Sequence, residues 1–222
     1  MARELTLDIE TVESFADVGK YDPALLHTSL VGVYDSGDDK YTSYLIEYAK
    51  DARGQWERDA EGHLKPVGDG LAGLWRQMQS ADRVIGYNIL NFDYGVMDRI
   101  YPGGIYPDTR ARKAQEPRFE TIDLMVEIAK TLGFRIKLDD VAEATLGYGK
   151  TGHGLQAIEF YKRGEYDKLA SYCLNDVKVT WEVYLYGLEH GHVKFKDRMG
   201  NLKQIPVDFS RKPAKAVAQT LF

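Results

Sequence analysis

Between residues 167 and 189 the side chains Leu169, Cys173, Val177, Thr180, Tyr184 and Leu188 recur at helical spacing, with Gly191 just beyond. This predicts one long amphipathic helix from about Asp167 to Glu189. At the other end of the chain the period is two: in ELTLDIE, Leu5, Leu7 and Ile9 point one way and Thr6, Asp8 and Glu10 the other. SLVGVYD and KYTSYLIEY, joined by SGDD, read as a hairpin. AKDARGQWERDAEGH reads as a polar surface excursion. Leu71, Leu74, Trp75 and Met78 form a helical stripe with Asp69 as candidate cap, RVIGYN a short buried strand, and FDYGVMDRIY the opening of another helix. TIDLMVEIAKTLG and LDDVAEATLG read as helices closed by Gly133 and Gly147, and LQAIEFYKRG as a third. HVKFKDRMGNLKQIPVDF predicts two strands around a Met-Gly-Asn turn. Strands alternating with helices make an α/β fold with a mixed sheet.

The 222 residues suffice for one sizeable core. No stretch reaches the ~18–20 apolar residues of a membrane helix, and no apolar signal segment precedes the first strand, so the expectation is a cytoplasmic protein without membrane contact. A lone Cys173 excludes an internal disulfide and a cysteine-built zinc site. The net charge of −5 argues against a surface that simply adsorbs polyanions. Its distribution is uneven. Residues 192–222 carry Lys194, Lys196, Arg198, Lys203, Arg211, Lys212 and Lys215 against Asp197 and Asp208. The rest is strongly acidic, apart from a short basic run at Arg110, Arg112, Lys113 and Arg118.

Four carboxylates converge in this reading. Asp8 and Glu10 share one face of the first strand, ~6.5–7 Å apart. Asp93 opens a helix at the C-terminal edge of a sheet, where open α/β folds bind ligands. Asp176 lies within the last helix, with Tyr172 one turn earlier on the same face. Clustered carboxylates must protonate, pair with Lys or Arg, or bind cations. DIET, NILNFD and YCLND contain no basic residue. Oxygen-only ligation suits Mg²⁺ or Mn²⁺, and two such ions can activate water and stabilise the leaving oxygen of a phosphodiester.

Asp8-Ile-Glu10-Thr11, Asn88-Ile-Leu-Asn-Phe92-Asp93 and Tyr172-Cys-Leu-Asn-Asp176 resemble, in type and order, the three motifs of the four-carboxylate 3′–5′ exonucleases of the ribonuclease H-like superfamily, including the proofreading domains of DNA polymerases. Tyrosine four residues before the last aspartate resembles the tyrosine (DEDDy) type; the histidine type would need His at 171, which is Ser. LDDVAEATLGYGK resembles a stretch of family B polymerase exonuclease domains, and the whole resemblance spans roughly residues 4–187.

The resemblance implies a ribonuclease H-like mixed five-stranded sheet flanked by helices; the extra C-terminal β-hairpin, read from the residue pattern, lies outside it. Residues 1–191 would form the exonuclease domain and 192–222 a basic hairpin and tail. It implies two divalent cations, Mg²⁺ or Mn²⁺. Asp8, Glu10 and Asp176 would hold the first, and Asp8 and Asp93 the second. Tyr172 would orient the attacking water, since a phenol with an ordinary pKa near ~10 is a weak base at neutral pH. Thr11, Asn88 and Phe92 would contact the terminal nucleotide; apart from the resemblance, Lys150 of ATLGYGKT is a candidate phosphate contact. The implied partner is a single-stranded or frayed 3′ end of DNA or RNA, with any polymerase or helicase partner unidentified. No length remains for a polymerase domain within 222 residues. A catalytically silent nucleic-acid-binding module and an endonuclease are the rival readings.

Several fragments share these patterns without the context. Tyr34/Asp38 and Tyr94/Asp98 repeat the Tyr-x-x-x-Asp spacing, and Asp59/Glu61 repeats Asp-x-Glu. ATLGYGKT relaxes to a phosphate-loop pattern but follows a helix rather than a strand. His190 and His192 lack a further clustered ligand. Asp123 reads either as a helix cap or as a neighbour of the site.

Overall fold

The computed structural model describes residues 2–68, 70–108, 115–149 and 154–210. At its centre β1 (Glu4–Thr11) pairs antiparallel with β2 (Thr28–Asp35) and parallel with β4 (Arg83–Gly86). β3 (Lys40–Leu45) and β5 (Thr121–Asp123) form the edges, giving the order β3-β2-β1-β4-β5. This is the ribonuclease H-like mixed sheet that the resemblance implies. The β2–β3 turn places Asp39 at φ 48°. Asp35, at the end of β2, accepts from Gly37 N and from the Arg3 guanidinium, which closes the hairpin against the start of β1.

The alternation of β1 decides the layers. Leu5, Leu7 and Ile9 join Val31 and Val33 in a core cluster with Leu74, Trp75 and Met78 of α2 (Ala72–Ser80) and Tyr94, Val96 and Met97 around α3 (Asp93–Met97). Each such side chain, fully buried, contributes about 1.5–3 kcal/mol. The opposite face, carrying Thr6, Asp8 and Glu10, receives α7 (Tyr166–His190), which crosses β1 and β2. Gly32, opposite Asp8 in the β1–β2 register, makes that approach possible: a Cβ there would meet Cys173 Sγ at 2.9 Å. α4 (Leu124–Leu132), α5 (Leu138–Leu146) and α6 (Gly154–Arg163) complete the flanking layers.

The hairpin of β6 (His192–Lys196) and β7 (Leu202–Pro206) forms a separate two-stranded sheet. Val193, Ile205 and Phe209 nevertheless share a core cluster with Ile128 of α4, Val141 of α5 and Val183 of α7.

Three local expectations change. Thr121–Asp123 is a strand rather than the first turn of a helix: Asp123 adopts β geometry at φ −97°, ψ 104° and caps α4 from outside. Leu188 is exposed, because Gly187 occupies the buried position one residue earlier, under the Phe209 ring. The polar excursion is mostly exposed but anchored by bridges between Tyr48 and Pro66, Lys50 and Trp56, and Arg58 and Leu64, with Leu64 buried. Asp69, most of the 110–118 run (residues 109–114) and the tail from 211 lie outside the described residues.

Candidate active site

A cleft of about 720 Å³ opens at the C-terminal end of β1. Asp8, Glu10, Thr11, Asn88, Phe92, Asp93, Tyr172 and Asp176 all line it. Lys150 lies outside the described residues.

Asp8 and Glu10 project from β1 toward α7, and ligand atoms of Asp8, Glu10 and Cys173 lie within 4.8 Å of one another. Burial pushes the Cys173 thiol up, and the charges of Asp8, Glu10 and Asp176 push it further. It therefore remains a thiol, donating to the Asp8 carbonyl at 3.5 Å. The hard donors at this point are carboxylate oxygens, a set that fits Mg²⁺ or Mn²⁺ and not a soft metal.

Asp93 arrives by a different route. β4 stops pairing with β1 at Ile85 opposite Thr6, leaving the β1 backbone uncovered beyond that point on the β4 side. The Asp93 carboxylate accepts from the Ile9 N–H there, seated between Asp8 and Glu10 in sequence. It is almost fully buried. Burial first, then the charge of Asp8, raise its carboxyl well above the ordinary range. Relief of that repulsion by a cation is the chemistry such a pair favours.

The loop that delivers Asp93 turns at Asn88, a non-glycine residue with φ 65°. Asp123 holds it there. Its Oδ1 accepts from Asn88 N at 2.9 Å and its Oδ2 from Leu90 N at 3.1 Å, while Oδ1 also caps α4 through Met125 N and Val126 N. Asn88 therefore shapes the turn with its backbone, and its buried side-chain oxygen has no hydrogen-bond partner among the described residues. Thr11 Oγ1 donates to Glu13 O at 2.8 Å. Phe92 packs edge-on against Phe15 at 6.0 Å, and Phe15 lies against the exposed Tyr21 ring at 4.2 Å.

Sequence reasoning missed Phe15, Tyr21, Arg135 and Lys137, which also line the cleft. For the first pair the available signal was Ser14-x-x-Asp17, a capping box that both side chains complete around α1 (Phe15–Val18). Arg118, from the short basic run, is exposed and donates to Gly103 O and Gly104 O. The sequence look-alikes have structural partners: Tyr34 donates to Asp39, Asp38 pairs with Arg3, Asp98 accepts from Ile105 N and Tyr106 N, and Asp59 accepts from Glu61 N and His63 N.

Residues 106–210 match the family model described as "Predicted 3'-5' exonuclease related to the exonuclease domain of PolB". The chain resembles polymerase-B exonuclease domains. The matched span contains Tyr172 and Asp176 and extends through the C-terminal hairpin, beyond the limit near residue 187 that the motifs suggested. Asp8, Glu10 and Asp93 precede it. Among solved structures the chain is similar to the family B DNA polymerase from the hyperthermophilic archaeon Pyrobaculum calidifontis, with TM-score 0.57 and 19% identity over 85% of this chain and 25% of that one. The chain thus spans about a quarter of that polymerase, and the likeness is one of fold. No curated protein matches. No helix among the described residues is long and apolar enough to cross a membrane.

Proposed function

We propose that this chain is a metal-dependent 3′–5′ exonuclease that releases nucleoside monophosphates from a single-stranded or frayed 3′ end of DNA or RNA. The reading rests on one observation: three distant segments, at the end of β1, the start of α3 and the middle of α7, contribute Asp8, Glu10, Asp93, Tyr172 and Asp176 to a single cleft. Residues 1–191 carry the exonuclease unit and 192–222 an appended basic segment.

Asp8, Glu10 and Asp176 would hold one divalent cation and Asp8 with Asp93 a second. Mg²⁺ or Mn²⁺ bound there would supply an activated water and charge stabilisation at the leaving oxygen. Tyr172 orients the attacking water by hydrogen bonding. Thr11 and Asn88 position the terminal nucleotide, Phe92 packs on its sugar or base, and Phe15 and Tyr21 extend that apolar wall toward the entrance. Lys150 would approach a phosphate.

The test is a time course on 5′-labelled single strands with Mg²⁺, Mn²⁺ or chelator. The reading predicts a ladder that shortens one nucleotide at a time, stops with chelator and leaves a circular single strand intact. Cleavage of the circle would make it an endonuclease; binding without any cleavage would make it a silent module.

A further inference from the structure

The cleft presents a charge problem to any polyanion. Six carboxylates line it (Asp8, Glu10, Glu13, Asp93, Asp139 and Asp176), whereas Arg135 and Lys137 are the only lining cations among the described residues. Cations bound by the carboxylates would relieve the repulsion at the scissile phosphate, but the strand behind it would still run past an acidic wall. Both Arg135 and Lys137 are exposed, and neither forms an ion pair within the described residues.

The segment bearing them is held at several points. Gly133, at φ 82°, ends α4, and the buried Leu138 begins α5. Between them Ile136 packs inward on the core cluster shared with the hairpin, so its two neighbours are left facing outward. Tyr87, the residue after β4, donates its hydroxyl to Ile136 O at 2.9 Å. Phe134 meets Phe195 of β6 edge-on, at 6.4 Å and 74°. The backbone is thus fixed from the sheet on one side and the hairpin on the other.

We infer that Arg135 and Lys137 form a phosphate-contacting pair that holds the nucleic-acid backbone on the 5′ side of the scissile bond, with Tyr87 and Phe195 as positioning residues for it. This rests on reading the cleft as an exonuclease site. It gives the C-terminal hairpin a role in substrate binding through Phe195, independent of its own charges.

The experiment uses the full chain and a short 5′-fluorescein oligothymidylate. Binding is followed by anisotropy in Ca²⁺ across a salt series, and mononucleotide release is followed in Mg²⁺. Each phosphate contact on a single strand contributes about 0.7 to the slope of log K against log salt. Arg135→Gln with Lys137→Gln should lower the slope by about 1.4 and raise KM about tenfold with kcat unchanged. The charge-conserving exchange Arg135→Lys with Lys137→Arg should restore most of the slope. Tyr87→Phe should raise KM about threefold without changing the slope. An unchanged slope and KM in the double Gln variant, with its melting curve intact, would overturn the inference. A wild-type protein that releases no mononucleotide, yet loses the slope in that variant, would overturn the exonuclease reading and leave the phosphate contacts standing.

Discussion

Asp123 accepts four backbone N–H groups, two from the start of its own helix and two from a loop 33 and 35 residues earlier in the chain. Burial raises its carboxyl, while those donors pull the other way. A carboxylate at the foot of a helix is legible in a sequence as a cap, but its second set of partners depends on β4 and β5 lying side by side, which no local pattern encodes. Asp123→Ala should cost about 3 kcal/mol in urea unfolding, from the lost cap and the buried N–H groups left unsatisfied. Asp123→Asn keeps one acceptor oxygen and should cost less; an alanine variant as stable as wild type would contradict this role. Tyr172 is buried in a core cluster with Leu30 and Cys173, and the proposed reaction gives its hydroxyl a second task. Tyr172→Phe should slow mononucleotide release about ten- to a hundredfold, ~1.4–2.7 kcal/mol in barrier, with KM little changed. A wild-type rate would remove the phenol from the chemistry.

Among the elements, those with a strong period could be read directly. The strand alternation of β1 put Asp8 and Glu10 on the face opposite Leu5, Leu7 and Ile9, which α7 covers, and the four-residue spacing put Tyr172 and Asp176 on one face of α7. β5 was hidden because Thr-Ile-Asp continues into LMVEIAKTL without a break in apolar spacing, and a three-residue strand has no period of its own. The last turns of α7 were hidden for another reason. Packing against Phe209, far along the chain, selects Gly187 and turns Leu188 outward. A Cβ at 187 would lie 2.3 Å from the Phe209 ring and 3.2 Å from Val207 Cγ2, both within the hairpin's share of the core. Gly187→Ala should therefore destabilise the fold by about 1–3 kcal/mol, the usual cost of overpacking, while mononucleotide release at low temperature is kept. An unchanged denaturation midpoint would show that the hairpin yields there at no cost.

At the scale of the molecule, the uneven charge visible in the sequence takes on geometry. Six of the 34 acids line one cleft, and among the described residues the cations that share it, Arg135 and Lys137, come from the α4–α5 connection. A fold that gathers buried carboxylates around one point gains stability from whatever neutralises them. Mn²⁺ at a hundredfold excess over its dissociation constant should stabilise the protein by about 2.7 kcal/mol, a rise of roughly 5–10 °C in melting midpoint for a domain of this size. Asp93→Asn removes one of the repelling charges, so it should raise the metal-free midpoint and shrink the Mn²⁺ shift. Equal shifts in variant and wild type would place the metal elsewhere. The proposed phosphodiester hydrolysis depends on the carboxylates brought together from β1 and α3. Its most direct test is Mg²⁺-dependent release of mononucleotides from a 3′-labelled single strand by wild type, Asp8→Ala and Asp93→Ala. Wild type should release mononucleotides and both variants should lose that release, with circular dichroism unchanged; undiminished release in both would rule out hydrolysis at this site.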